Sequence, residues 1–156
     1  MTQTAAAMTT DAKTQIAEAL NQAVAETAVT TMLAQNFHWN VTGMAFGPLH
    51  DLFQKMYEDH FVAQDDLAER IRAIDAFAEG TLAGMLKRSK VKEHEGTASD
   101  KEMIQRMLDA QMTLASTLAG AGELAASHGD TLTEDLCIAR GQEHEKFAWF
   151  LRAHLT

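Results

Sequence analysis

Between Leu49 and Ile74 the side chains Leu49, Leu52, Phe53, Met56, Ala63, Leu67, Ile71 and Ile74 fall on one stripe when the chain is wound at about 100° per residue. A strand cannot use that pattern, because its faces alternate every second residue. The stripe runs for about seven turns without a break. The one proline of the chain, Pro48, stands at its start, where a missing N–H costs a helix nothing. Such a helix buries one face only, so it requires other helices of similar length to cover it.

The rest of the sequence supplies them. Residues 1–10 read as a flexible Ala/Thr-rich tail, and residues 11–156 as one domain. Ile16, Leu20, Val24, Leu33 and Phe37 predict a first helix from Asp11, its N-cap, to His38. Breaks at Thr42-Gly43 and Gly47-Pro48 precede the second helix, which is expected to run from Pro48 to Ala76. A short helix is expected over Thr81 to Lys92. Ser99 with Glu102 three residues on reads as a capping box for the third long helix, which Gly129 closes. Leu132 to Leu155 makes the fourth. The fold class is all-α, a four-helix bundle with a short extra helix between the second and third.

Composition narrows the function. Thirteen Lys and Arg stand against 22 Asp and Glu, a formal charge of −9, so a surface that wraps nucleic acid by neutralising phosphate is disfavoured. The only cysteine, Cys137, can form no intrachain disulfide, which fits a reducing compartment and, with no membrane-length apolar run or secretory signal, the cytoplasm.

On the second helix His50, Gln54, Glu58, Phe61, Asp65 and Glu69 share a strip away from the apolar stripe. Imidazole with carboxylate suits a divalent transition metal, iron or zinc. A solvated acidic face is the alternative for the same residues. Fifteen residues separate His50 from Asp65, about 22 Å of helix, whereas ligand bonds are only about 2.0–2.2 Å long. Asp65 and Glu69, one turn apart, can share a metal; His50 joins them only from another subunit, through an antiparallel two-fold pairing. His38 can fold back beside His50. His60 lies on the apolar stripe and reads as a core histidine, whereas His144 fits either surface or interior. No histidine has a Glu three residues before it, so the Glu-x-x-His di-iron site inside one bundle is not indicated.

The segments Asn36-Phe37-His38-Trp39-Asn40-Val41, Leu49-His50-Asp51-Leu52-Phe53 and Asp65-Asp66-Leu67-Ala68-Glu69-Arg70-Ile71 resemble the Dps family of mini-ferritins. The spacing of His38, His50, Asp65 and Glu69 carries the likeness, and Gly80-Thr81-Leu82 and His144 to Trp149 extend it. The resemblance implies a ferritin-like shell of twelve subunits that binds Fe(II), oxidises it to Fe(III), preferably with hydrogen peroxide, and stores ferric mineral. It implies a ferroxidase site at a two-fold interface, with His38 and His50 from one subunit and Asp65 and Glu69 from the other. Asp51 would help hold a second, weaker iron, and Gln54 stands where relatives often carry an acid. Trp39 would quench oxidising equivalents or simply pack at the interface. Asp130, Glu134 and Asp135 would line an acidic pore, or else only complement a helix start.

DNA binding is the alternative activity, with nucleoid association. The N-terminal stretch from Met1 to Lys13 carries one cation, Lys13, and twelve copies at −9 would carry about −108. The cluster Lys87, Arg88, Lys90 and Lys92 is the remaining route to phosphate. A third reading is a helical protein whose interface binds zinc as a staple.

Overall fold

The computed structural model describes residues 4–156. Five α-helices follow one another: α1 (Thr10–Asn40), α2 (Phe46–Ala73), the short α3 (Leu82–Arg88), α4 (Asp100–Ser127) and α5 (Thr131–Ala153). Among the described residues there is no strand. The helix pairs α1·α2 and α4·α5 form the bundle, α1 also packs on α4, and α3 lies against α1. No helix is long and apolar enough to cross a membrane.

Four of the five α-helices start at a side-chain cap; α2, which follows Ala45, has none. Thr9, Thr81, Ser99 and Asp130 accept a hydrogen bond from a backbone N–H of the following first turn. Ser99 is thus the N-cap expected, whereas α1 is capped by Thr9, and Asp11 sits inside its first turn, where a carboxylate also suits the helix dipole. Of the expected tail, residues 1–3 lie outside the described residues. The rest holds a 3-10 turn over Ala5–Ala7 and a buried Met8, which joins the core.

Two helix ends use the same device. Gly129 (φ 73°) follows α4, with its N–H on the Ala126 carbonyl and the Asp130 N–H on the Ala125 carbonyl. Asp75 (φ 71°) does the same after α2, through bonds to Arg72 and Ile71. That non-glycine left-handed residue ends α2 at Ala73, short of the Ala76 expected. α3 likewise stops at Arg88, where Ser89 turns extended and becomes buried, rather than at Lys92.

The core has two apolar parts. One gathers Leu33, Phe37, Leu49, Phe53, Met56, Met103, Met107, Phe147 and Leu151. The other gathers Ile16, Leu20, Leu67, Ile71, Ile74, Leu118 and Cys137. Burial of each such large side chain is worth roughly 1.5–3 kcal/mol. Along α2, α4 and α5 a polar layer separates the two parts.

Candidate metal centre

His38 ends α1 and His50 stands in the first turns of α2, so the short turn between the helices brings them together. Their rings stack with centroids 3.7 Å apart and 19° between planes. The bonding is reciprocal: His38 Nδ1–H donates to the His50 carbonyl at 2.8 Å, and His50 Nδ1–H donates to the His38 carbonyl at 2.8 Å. A neutral imidazole with its proton on Nδ1 has its lone pair on Nε2. A backbone bond at the far nitrogen fixes tautomer and ring orientation in metal-binding histidines generally. Phe46 stacks on His50 (5.1 Å, 27°) and Tyr57 meets the edge of His38 (5.3 Å, 80°), so aromatic packing locks the pair from both sides. Trp39, next to His38, is 63% exposed.

The carboxylates lie elsewhere. Asp65 and Glu69 are exposed on the outer face of α2, one turn apart. Asp65 borders a groove of about 560 Å³ whose apolar lining includes Phe61, Ala68 and Met85. Because α2 is continuous from Phe46 to Ala73, Asp65 stays about 22 Å along the helix from His50. Among the described residues no three His, Cys, Asp or Glu side chains of one chain come close enough to hold a metal. One chain therefore carries an imidazole pair and, apart from it along α2, a carboxylate pair. Asp51 is exposed beside His50. The Gln54 amide donates to Glu58 Oε1 at 2.8 Å, so it is engaged along its own helix.

The polar layer inside the bundle is a closed ring of hydrogen bonds. Arg140 donates through Nη1 and Nη2 to both Asp59 oxygens (3.1 and 2.6 Å). His60 Nδ1–H donates to Asp59 Oδ2 at 2.9 Å, and its Nε2 accepts from the Gln111 amide at 2.8 Å. Gln111 Oε1 accepts from His144 Nδ1–H at 2.7 Å, and His144 Nε2 accepts from Arg140 Nη2 at 3.4 Å. Burial pushes His60 down against its bond to Asp59. Burial, reinforced by the neighbouring His60 and Arg140, pushes His144 down to about 2. Burial alone would raise the Asp59 carboxyl, but the bonds from His60 and Arg140 outweigh it and hold Asp59 well below the usual carboxylate range. His60 is thus the core histidine expected from its place on the stripe. His144 proves to be its counterpart, four residues after the Arg140 that completes the ring. Ferritin-like di-iron proteins hold metal at the centre of the bundle; here a guanidinium provides the positive charge.

Asp130 is not a free pore acid. It is 2% exposed, accepts from Arg70 Nη2 at 2.9 Å, and caps α5. Glu134 is half-buried and Asp135 is exposed. In the basic cluster, Arg88 is tied to Glu18 and Glu79, which leaves Lys87, Lys90 and Lys92 as exposed cations.

The ferritin-like domain family matches residues 17–156, nearly the whole bundle. The chain is 34% identical over 141 residues to general stress protein 20U of Bacillus subtilis, covering 90% of this chain and 97% of that one. It is 34% identical over 148 residues to the DNA protection during starvation protein of Brevibacillus brevis, covering 95% and 99%. Among solved structures, Dps from Vibrio cholerae, described as a member of a broad superfamily of ferritin-like diiron-carboxylate proteins, superposes with a TM-score of 0.91 at 32% identity, covering 96% and 94%. Dps from Bacillus brevis gives 0.91 at 34%, covering 96% and 100%. Bundle and match together define a ferritin-like protein. Within that class the chain belongs to the Dps family.

Proposed function

We propose that this protein stores and detoxifies iron: two subunits bind ferrous iron between them, it is oxidised there, and ferric product is held inside a homo-oligomeric shell of twelve. The reciprocally bonded His38–His50 pair is the observation that carries the proposal. It presents two neutral imidazole nitrogens with little left to reorganise on binding, and it lacks the anionic ligands that Asp65 and Glu69 of the partner subunit would supply. Asp65 and Glu69 would anchor Fe(II) and, as hard oxygen donors, favour Fe(III) over it. Asp51 would hold a second, weaker iron.

Hydrogen peroxide is the proposed oxidant. Two Fe(II) ions give one electron each to one H₂O₂, which takes up two protons and leaves as two waters, so no hydroxyl radical is released. Trp39, exposed beside His38, would quench a stray oxidising equivalent. Relatives are named for DNA protection in starvation. We place such protection in the removal of iron and peroxide, because Arg88 is paired to two carboxylates and the net charge is −9.

The test is anaerobic Fe(II) loading followed by peroxide, with ferric absorbance read near 300 nm, for wild type and His50→Ala/Glu69→Ala. A loss of about 10-fold or more in the initial rate is expected. Equal rates would overturn the assignment. Tight Zn(II) binding without redox turnover of iron would leave the interface as a zinc staple.

A further inference from the structure

We infer that a cleft between the segment after α3 and the first half of α4 binds orthophosphate, with Lys90, Lys92 and Arg106 holding the anion and Asp109 selecting its protonated form. The cleft has a volume of about 200 Å³ over a floor that includes Leu33 and Val91. Three cations and one acid line it, in a chain whose formal charge is −9. The cations are there for a reason of chain geometry. Ser89 leaves α3 in an extended conformation, and in an extended segment alternate residues share a side. Val91 is buried, so Lys90 and Lys92 on either side of it face outward together. The backbone that carries them is fastened at three points. Ser89 Oγ–H donates to the Val91 carbonyl at 2.9 Å, the Gln22 amide to the Arg88 carbonyl at 3.0 Å, and the Lys90 N–H to the buried Glu26 carboxylate at 3.4 Å. On α4, Arg106 and Asp109 stand three residues apart on one face. Arg106 meets Glu102 only at 3.4 Å, in an exposed pair that holds it weakly. Among the described residues neither Lys90 nor Lys92 pairs with an acid.

Asp109 decides which anion fits. Its Oδ1 accepts from the Gln105 amide at 2.9 Å, which leaves Oδ2 as an acceptor on a residue that lines the cleft. A carboxylate can only accept, so it repels an anion unless that anion brings a proton to share. Orthophosphate keeps one throughout the neutral range. Sulfate and a phosphodiester have none, and a phosphomonoester loses its last near pH 6. The acid that admits orthophosphate therefore opposes sulfate and the DNA backbone alike. The cleft shares no residue with the proposed iron centre, so neither reading depends on the other.

Calorimetric titration of the metal-free full chain tests the site, in chelator and at fixed ionic strength, with orthophosphate, sulfate and dimethyl phosphate as the probes. Orthophosphate should bind about 10-fold or more tightly than either of the others, the worth of one hydrogen bond to a charged group. Lys90→Gln/Arg106→Gln should weaken orthophosphate by about 10-fold or more. Asp109→Asn replaces an acceptor with an amide that can also donate, so sulfate should gain and the preference should fall to about 3-fold or less. Thermal unfolding gives a second reading on wild type alone. Sulfate and phosphate both stabilise by exclusion from the surface, so an extra rise in Tm with orthophosphate reports binding. Equal affinity for the three anions, or a preference that survives Asp109→Asn, would overturn the selection by Asp109. No binding of orthophosphate to wild type, or full binding by the Lys90→Gln/Arg106→Gln variant, would overturn the site.

Discussion

Acidifying the protein from pH 6.5 to 4.5 loads the ring at the bundle centre in a way that can be worked out. His144 is held at about 2 in the folded state and returns to the ordinary 6.5 in the unfolded chain. The unfolded state therefore takes up the proton first, and stability falls as the pH drops below 6.5. Well below 6.5 each pH unit costs about 1.4 kcal/mol for one such group, so His144 alone removes about 2 kcal/mol between pH 6.5 and 4.5. His60 is shifted in the same direction and adds to the loss. Asp59, held low, has the opposite history: its contribution is complete above 3.8 and is lost only at lower pH. Between 6.5 and 4.5 the histidines thus set the slope. The assay is urea unfolding at several pH values for wild type and His144→Gln, whose amide can donate to Gln111 and accept from Arg140. The two proteins differ at that one side chain, so the difference between their profiles reports on His144. The variant should lose about 1 kcal/mol at pH 7, recover relative to wild type by up to about 1.4 kcal/mol per unit, and be the more stable of the two at pH 4.5. Parallel pH profiles would refute the reasoning.

Arg140→Met leaves the half-buried Asp59 carboxylate without its counterion and should cost about 1–3 kcal/mol; adding Asp59→Asn should restore most of it, measured by thermal unfolding. Asp75→Gly relieves a left-handed non-glycine residue and should raise stability by up to about 1 kcal/mol, whereas Asp75→Val should lower it. Burial, with the charge of Asp130, pushes the Cys137 thiol up to about 11, so a thiol-specific chromogen at pH 8 should label it only after denaturant is added.

The long helices were legible because a buried stripe at 3.6-residue period leaves its mark on every turn. Ser99 was legible as a cap from its side chain and position alone. The end of α2 was not, since it depends on Asp75 adopting a conformation that glycine usually signals. The starts at Thr9 and Phe46 were displaced by one or two residues for a similar reason, as threonine caps as well as aspartate does and proline is tolerated anywhere in a first turn. At the candidate site, spacing separated His50 from Asp65 in one chain. It gave no hint that each imidazole would bond to the other's carbonyl, because that depends on the path of the turn through Gly43. His144 could not be placed from its own helix: its partners, Gln111 and His60, come from α4 and α2, and only packing brings them to it.

The paired imidazoles divide two duties between the two edges of each ring. The inner edge clasps the α1–α2 junction, and under the proposed function the outer edge is left for a guest. Neither duty then draws on the atoms of the other, so a guest could come and go without unfastening the clasp. Loading and emptying can then be repeated on a junction that keeps its shape.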